Sequence, residues 1–181
     1  MAIEGGKKYT ISDIETLPEG ERAELIDGEM FMMAAPTLVH QDLLMWLSYT
    51  IKRYITEHKG RCRVLPAPFA VYIKKDQHNY VEPDISVICD PSRLDERGCN
   101  GAPDWIIEII SPSNPQHDYG IKLFKYRTAG VREYWIVNPL KHTVNVYDLE
   151  YEKNTNLYSF HDTIPVCIYD DFNINISDLL S

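Results

Sequence analysis

A single charged residue, Glu108, stands inside an apolar run that reads WIIEII at positions 105–110. A continuous apolar run this short, ended by Pro112, predicts a buried strand. Glutamate is seldom fully buried without a partner, because burying an isolated carboxylate costs roughly several kcal/mol even after relaxation. The run therefore requires something that compensates Glu108, which is either an ion pair with Lys or Arg or a bound cation.

Strand-like and helix-like segments are interspersed along the rest of the 181 residues. Asp27-Gly28 separates two strand-like runs and predicts a hairpin. A helix is expected from Pro36 and Thr37 to Gly60, and a second one in QHDYGIKLFKYRTAG, which ends at Gly130. Residues 90–103 carry Pro and Gly and predict a surface loop. The pattern indicates one domain over residues 1–181, of the α/β (α+β) class, with a central mixed sheet flanked by helices.

The charge of the chain is unevenly distributed. A net charge of −9 argues against a protein that coats nucleic acid indiscriminately, because affinity for the phosphate backbone comes from clustered cations. Two basic clusters nevertheless stand out: Lys52, Arg53, Lys59, Arg61 and Arg63; and Lys122, Lys125, Arg127 and Arg132. Each cluster is either a solvated face or a set of contacts to a nucleic acid backbone.

Four cysteines lie at wide spacings without a CxxC pair, which predicts reduced thiols in an intracellular protein. The first 15 residues contain no apolar segment of the secretory type, and no run approaches 18 apolar residues. We therefore expect a cytoplasmic protein without a membrane span.

Two acidic residues are placed to converge. Strict alternation in YVEPDISVIC sets Asp84 on the face opposite Val81, Ile85 and Val87, and Glu108 shares a face with Ile106 and Ile110. If the two strands pair, the carboxylates meet, and a hard divalent cation would relieve their repulsion. The alternative for Asp84 is a strand-end residue that faces water.

Lys122, Glu24 and His40 are further candidates for the same site. Asp118, Lys122 and Tyr126 are spaced four apart on the second helix, so Lys122 either forms a simple i,i+4 salt bridge or reaches the carboxylates. Glu24 either faces solvent on its strand or reaches the same metal. His40 lies on the apolar stripe of the first long helix, as a core histidine or as a functional one.

The ordered set of motifs resembles a known family. EPD at 82–84, WIIEIISPSN at 105–114 and the spacing from Asp118 through Lys122 and Tyr126 to Gly130-Val131, followed by EYWIV, are similar to the Uma-type family of restriction endonucleases, within the PD-(D/E)XK nuclease superfamily. AELIDGE at 23–29 and APTLVH at 35–40 extend the resemblance, so it covers roughly residues 10 to 150.

The resemblance implies a restriction-endonuclease-like core and a Mg²⁺-dependent or Mn²⁺-dependent endodeoxyribonuclease. It assigns the metal to Asp84 and Glu108 and the catalytic amine to Lys122. Our hypothesis adds the Ile109 carbonyl as a further oxygen donor to the metal. Glu24 and His40 match family features and complete the implied catalytic set. DNA would be the partner, bound by a homodimer.

One position departs from the superfamily pattern. The residue two after Glu108 is Ile110, where the superfamily has lysine. The Uma-type family resembles a variant whose lysine has moved to the next helix, and this resemblance implies Lys122 as the substitute. The alternative is a catalytically inactive or repurposed nuclease fold that serves as a binding or accessory module. The acidic net charge and Ile110 both favour that alternative.

Overall fold

The computed structural model describes residues 7–111, 118–151 and 155–180. Its α-helices are α1 (Ile11–Glu15), α2 (Leu38–Glu57), α3 (Leu123–Ala129) and α4 (Ser177–Leu180). A 3₁₀ turn spans Pro91–Arg93, and a π-helical turn, Asp118–Lys122, leads directly into α3. The strands are β1 (Ala23–Ile26), β2 (Glu29–Met32), β3 (Arg63–Pro66), β4 (Val71–Tyr72), β5 (Ile85–Ile88), β6 (Leu94–Asp95), β7 (Gly98–Asn100), β8 (Trp105–Ile109), β9 (Glu133–Asn138), β10 (Thr143–Asp148), β11 (Asn156–Ser159), β12 (Ile164–Pro165) and β13 (Asn173–Ile174).

A six-stranded mixed sheet forms the centre, in the order β11-β10-β9-β8-β5-β3. Its pairs are antiparallel except for β8 and β9, which run parallel and are connected through the π-helical turn and α3. The WIIEI strand β8 is buried along its whole length between β5 and β9. This confirms the prediction of a central mixed sheet, with the apolar run as one of its inner strands.

The two faces of the sheet carry different helices. On one face, Ile107 and Ile109 of β8 join Leu43, Leu47 and Ile51 of α2 in one apolar cluster. On the other face, Ile106 and Ile110 join Tyr126 of α3 in a second cluster. Side chains alternate along a strand, so Glu108 shares the α3 face with Ile106 and Ile110, as predicted. Val81 belongs to this second cluster too, whereas Ile85 and Val87 face α2, so the predicted common face for these three residues is wrong.

Helix α2 follows its sequence pattern closely. Its buried residues are His40, Leu43, Leu44, Leu47, Ile51 and Ile55, the stripe expected from their spacing. Thr37 is the N-cap and accepts a hydrogen bond from the His40 amide at 3.3 Å. The cap therefore lies one turn from His40 and fixes where the first turn begins.

The β1–β2 hairpin turns at Asp27 and Gly28, as predicted. Both residues have positive φ, 51° and 83°, which an Asp-Gly pair accepts at little cost. Leu25 exchanges two backbone hydrogen bonds with Tyr80, at 2.7 and 2.8 Å. The hairpin is thereby attached to the segment that leads into β5.

Two expectations from the sequence are wrong. Residues 90–103 do not form a plain surface loop, because β6 and β7 pair there and β7 also pairs with β4 in a small three-stranded sheet. The cysteines are not all reduced, because Cys62 and Cys89 form a disulfide across β3 and β5. The spacing of cysteines along the chain could not reveal this pair, since the antiparallel register of those two strands creates it.

Candidate functional site

A cavity of about 310 Å³ opens between the β1–β2 hairpin, the first turn of α2 and the adjoining ends of β5 and β8. Its walls combine apolar side chains with an unusual number of titratable ones. The titratable residues that line it are Arg22, Glu24, His40, Glu82, Asp84, Glu108 and Lys122. All five side chains singled out from the sequence as candidates are thus brought to one cavity.

Asp84 directly precedes β5, and its position beside the sheet places it at the cavity. The register pairs Ile85 with Ile107, and one further antiparallel step sets Asp84 opposite Glu108. The Ile109 amide donates to Asp84 Oδ2 at 2.7 Å, and His40 Nε2 lies 3.2 Å from both carboxylate oxygens. Asp84 is therefore held by its neighbouring strand and by α2, and the alternative of an acid that only faces water is wrong.

Glu108 is 4% exposed and has two polar partners on the helical segment above it. Lys122 Nζ donates to its Oε1 at 2.9 Å, and the Tyr126 hydroxyl donates to the same oxygen at 2.7 Å. The spacing of four residues between Lys122 and Tyr126 puts both on the face that packs on β8. In this structure the buried charge of Glu108 is compensated by an ion pair, one of the two solutions that the sequence left open.

Lys122 also contacts a second carboxylate. Its Nζ lies 2.7 Å from Glu24 Oε2, and both side chains are nearly inaccessible to solvent, at 6% and 5%. Glu24 Oε1 accepts a hydrogen bond from the Glu82 amide at 3.0 Å. The expectation that Glu24 faces solvent is wrong, and Lys122 reaches both carboxylates through long-range pairs. The i,i+4 salt bridge between Asp118 and Lys122 stays a prediction. The side chain of Asp118 lies outside the described part of the chain.

Arg22 and Glu82 line the same cavity but were not identified from the sequence. The Arg22 guanidinium forms an ion pair with Glu82 Oε2, while the Tyr80 hydroxyl donates to Glu82 Oε1 at 2.6 Å. Burial and the neighbouring Glu82 charge raise the pKa of Tyr80 above its ordinary value. Glu82 lies two residues before Asp84 on the same polar face of the segment. This spacing was the only sequence feature that could have indicated Glu82 as a residue of the cavity. Nothing local indicates Arg22.

The donor set fits a hard divalent cation. Asp84 and Glu108 offer carboxylate oxygens, which Mg²⁺ and Mn²⁺ prefer over nitrogen and sulfur. Within the described residues, no three His, Cys, Asp or Glu side chains form a ready-made metal cluster. Mg²⁺ commonly binds through one or two carboxylates and completes its shell with water and substrate phosphate, so two acids are a sufficient protein contribution.

The two basic clusters behave differently. Lys52, Arg53, Lys59, Arg61 and Arg63 are all exposed. In the second cluster, most cations form ion pairs within the protein. Lys125 contacts Asp27, and Arg132 contacts Asp104 and Glu150. With Lys122 buried as well, Arg127 is the exposed member of that cluster. The expectation that the whole second cluster is available to a polyanion is therefore wrong.

Among the described helices, none combines the length and the apolar character needed to cross a membrane.

Comparisons with known proteins show the fold and the family of this chain. In the solved structure of a "putative nuclease belonging to DUF820" from Anabaena variabilis, 96% of the chain aligns with 94% of this one, with a TM-score of 0.75 and 24% identity. That likeness establishes the fold. The uncharacterized protein slr1290 of Synechocystis is 26% identical over 128 residues, which are 70% of this chain and 66% of that relative.

The model of the Uma2 family, described as "Putative restriction endonuclease", matches residues 11–176, which is well over half of the chain. The matched residues include Glu24, Asp84, Glu108 and Lys122, the acids and the amine proposed from the sequence. The nuclease-like fold and the family agree with the resemblance seen in the motifs. This chain belongs to the Uma2 family of putative restriction endonucleases.

Proposed function

We propose that the protein is a divalent-metal-dependent endonuclease that hydrolyses phosphodiester bonds in DNA. The observation that carries the proposal is the arrangement in one cavity of Asp84 and Glu108, on adjacent strands, with the Lys122 amine bonded to Glu108. Family membership and the nuclease-like fold support the same reaction class.

The proposed roles follow from the contacts of each side chain. Asp84 and Glu108 would hold Mg²⁺ or Mn²⁺, with the Ile109 carbonyl as a further oxygen donor. When bound, the metal would polarise the phosphate and acidify a water. Lys122 supplies a fixed positive charge beside the scissile phosphate, which stabilises the charge that develops in the transition state.

The side chains of two residues, His40 and Tyr126, position this set. His40 and the Ile109 amide hold Asp84. Mutation of such a partner of a metal ligand commonly lowers metal affinity or activity roughly 10- to 100-fold. The Tyr126 hydroxyl holds Glu108 from above. Both are therefore positioning residues in this proposal.

We further propose duplex DNA as the substrate, cut in the cytoplasm by a homodimer. A symmetric dimer would present one active site to each strand of the duplex. The exposed cluster of Lys52, Arg53, Lys59, Arg61 and Arg63 offers cations for contacts to the DNA backbone. Light scattering during gel filtration would measure the dimer.

The test is cleavage of supercoiled plasmid by the purified protein with Mg²⁺ or Mn²⁺. Asp84→Asn and Glu108→Gln should each lower the rate roughly 100-fold or more, because several kcal/mol of charge stabilisation is lost. Asp42→Asn is the matched control, since Asp42 is an exposed acid on α2. Undiminished cleavage by both site variants would refute the mechanism.

The second candidate function is a catalytically inactive or repurposed nuclease fold that binds DNA or a protein partner. Ile110 at the position of the superfamily lysine and the net charge of −9 favour it. Calorimetric titration with Mn²⁺ separates the two. The absence of binding at millimolar metal, together with an absence of cleavage, would support the accessory module.

A further inference from the structure

Lys122 lies between two buried carboxylates, 2.7 Å from Glu24 and 2.9 Å from Glu108. We propose that Lys122 is the counterion of both carboxylates. When a divalent cation enters, Lys122 releases Glu108 to the cation, and Glu24 keeps the Lys122 amine in the site. Glu24 is then a positioning residue for the catalytic amine. The inference rests on the proposed function, because it takes Glu108 as a ligand of the cation.

The need for a counterion follows from burial. Glu24 and Glu108 are each 4% exposed, and two carboxylates that share a buried site repel each other unless a positive charge lies between them. Lys122, itself 5% exposed, supplies that charge through one amine. The amine and a cation require the same carboxylate group of Glu108, so they compete for it.

Glu24 is suited to hold the amine because its own position is fixed from the other side. Its Oε1 accepts from the Glu82 amide at 3.0 Å, while its Oε2 is the oxygen that meets Lys122. Strand β1 is in turn joined to Tyr80 by the two backbone hydrogen bonds of Leu25. None of these contacts involves Asp84 or Glu108. Glu24 can therefore hold the Lys122 amine in place while Glu108 changes partner.

Arg22 provides an internal comparison. It is the other basic side chain with a permanent charge lining the cavity among the described residues, but its partner is Glu82. Loss of Arg22 removes one positive charge near the metal without releasing Glu108. Substitution of Arg22 therefore distinguishes a general effect of positive charge on metal affinity from direct competition for Glu108.

The first experiment is calorimetric titration with MnCl₂ of the full-length protein and its Lys122→Met variant, each checked for folding by circular dichroism. Methionine keeps the aliphatic stem and removes the charge, so Mn²⁺ should bind about tenfold more tightly or better. Arg22→Met should change the affinity by less than about threefold, and Lys122→Arg should leave it near that of the parent. Should Lys122→Met fail to fold, Lys122→Gln carries the same expectation.

Two results would overturn competition by Lys122: equal affinity in the parent and Lys122→Met, or an equal gain in Lys122→Met and Arg22→Met. These results leave the proposed function standing if the parent binds Mn²⁺ and cuts DNA. Conversely, Mn²⁺ binding that emerges only in Lys122→Met supports the competition even if the parent proves inactive.

The second experiment tests Glu24 in the Lys122→Met background. There, Glu24→Gln should weaken Mn²⁺ binding by the same factor as Glu82→Gln, within about threefold, because each removes one carboxylate from the cavity wall and neither is a ligand. A much larger loss for Glu24→Gln would identify Glu24 as a metal ligand and overturn its assignment as the partner of Lys122. Glutamine retains an acceptor oxygen for the Glu82 amide, so the hairpin contact is preserved.

Discussion

At the residue scale, Glu133 is a further buried carboxylate and lies outside the candidate site. It begins β9 with no exposed surface and accepts hydrogen bonds from the Trp135 indole at 2.6 Å and from the amides of Cys167 and Ile168 at 2.9 and 3.0 Å. Burial raises the pKa of Glu133 to about 7, although these donors act in the opposite direction. Glu133 thus ties the sheet to the C-terminal segment.

This raised pKa predicts a pH dependence of stability. The folded chain retains a proton on Glu133 that the unfolded chain, with an ordinary value of 4.5, has already released, so stability should fall as the pH rises from about 4.5 to about 7. Urea denaturation across this range measures the slope. Glu133→Gln should be less stable overall but should show a flatter profile, and an identical slope in both proteins would contradict the assignment.

Tyr126 yields a second prediction at this scale. Its ring is fully buried and its hydroxyl donates to the Glu108 carboxylate, so Tyr126→Phe should lower the free energy of unfolding by about 1.5 to 3 kcal/mol. Tyr147→Phe, in the same aromatic cluster, is the control and should cost less. Urea denaturation at neutral pH compares them. A cost no larger than that of the control would show that the hydrogen bond to Glu108 contributes little.

At the scale of elements, α2 connects the stability of the core to the geometry of the site. Its apolar stripe packs on the sheet, and its first turn carries His40 to Asp84. Thr37→Ala removes the cap and should lower stability by about 1 kcal/mol, whereas Thr37→Ser should be near neutral. Thermal denaturation measures both. Equal stability of the two variants would mean that the cap is not needed to fix the first turn.

At the scale of the whole molecule, positive charge is concentrated at the end of α2 remote from His40 and in the chain that follows it. Lys52→Glu with Arg53→Glu should weaken binding to duplex DNA and lower the slope of log affinity against log salt by about 2, because each lost phosphate contact lowers it by about 1. Lys74→Glu with Lys75→Glu makes the same charge change at exposed positions elsewhere and should have a smaller effect. Fluorescence anisotropy at several salt concentrations measures both pairs, and equal losses would argue against a defined contact surface.

The sequence by itself determined the local elements, because periodicity and turn chemistry act over a few residues. The buried strand around Glu108, the Asp27-Gly28 hairpin and the long capped helix could all be predicted in this way. The motifs also identified the family and the acids Asp84 and Glu108 as neighbours across two strands.

Tertiary structure alone decided which charges meet. Glu24 and Lys122 are far apart in the chain, and only the hairpin's attachment beside β5 brings them within 2.7 Å. The same is true of Arg22 with Glu82, of Lys125 with Asp27 and of the disulfide between Cys62 and Cys89. Their pairing depends on strand order and register, and these are set by burial of the whole apolar surface, so no local pattern encodes them.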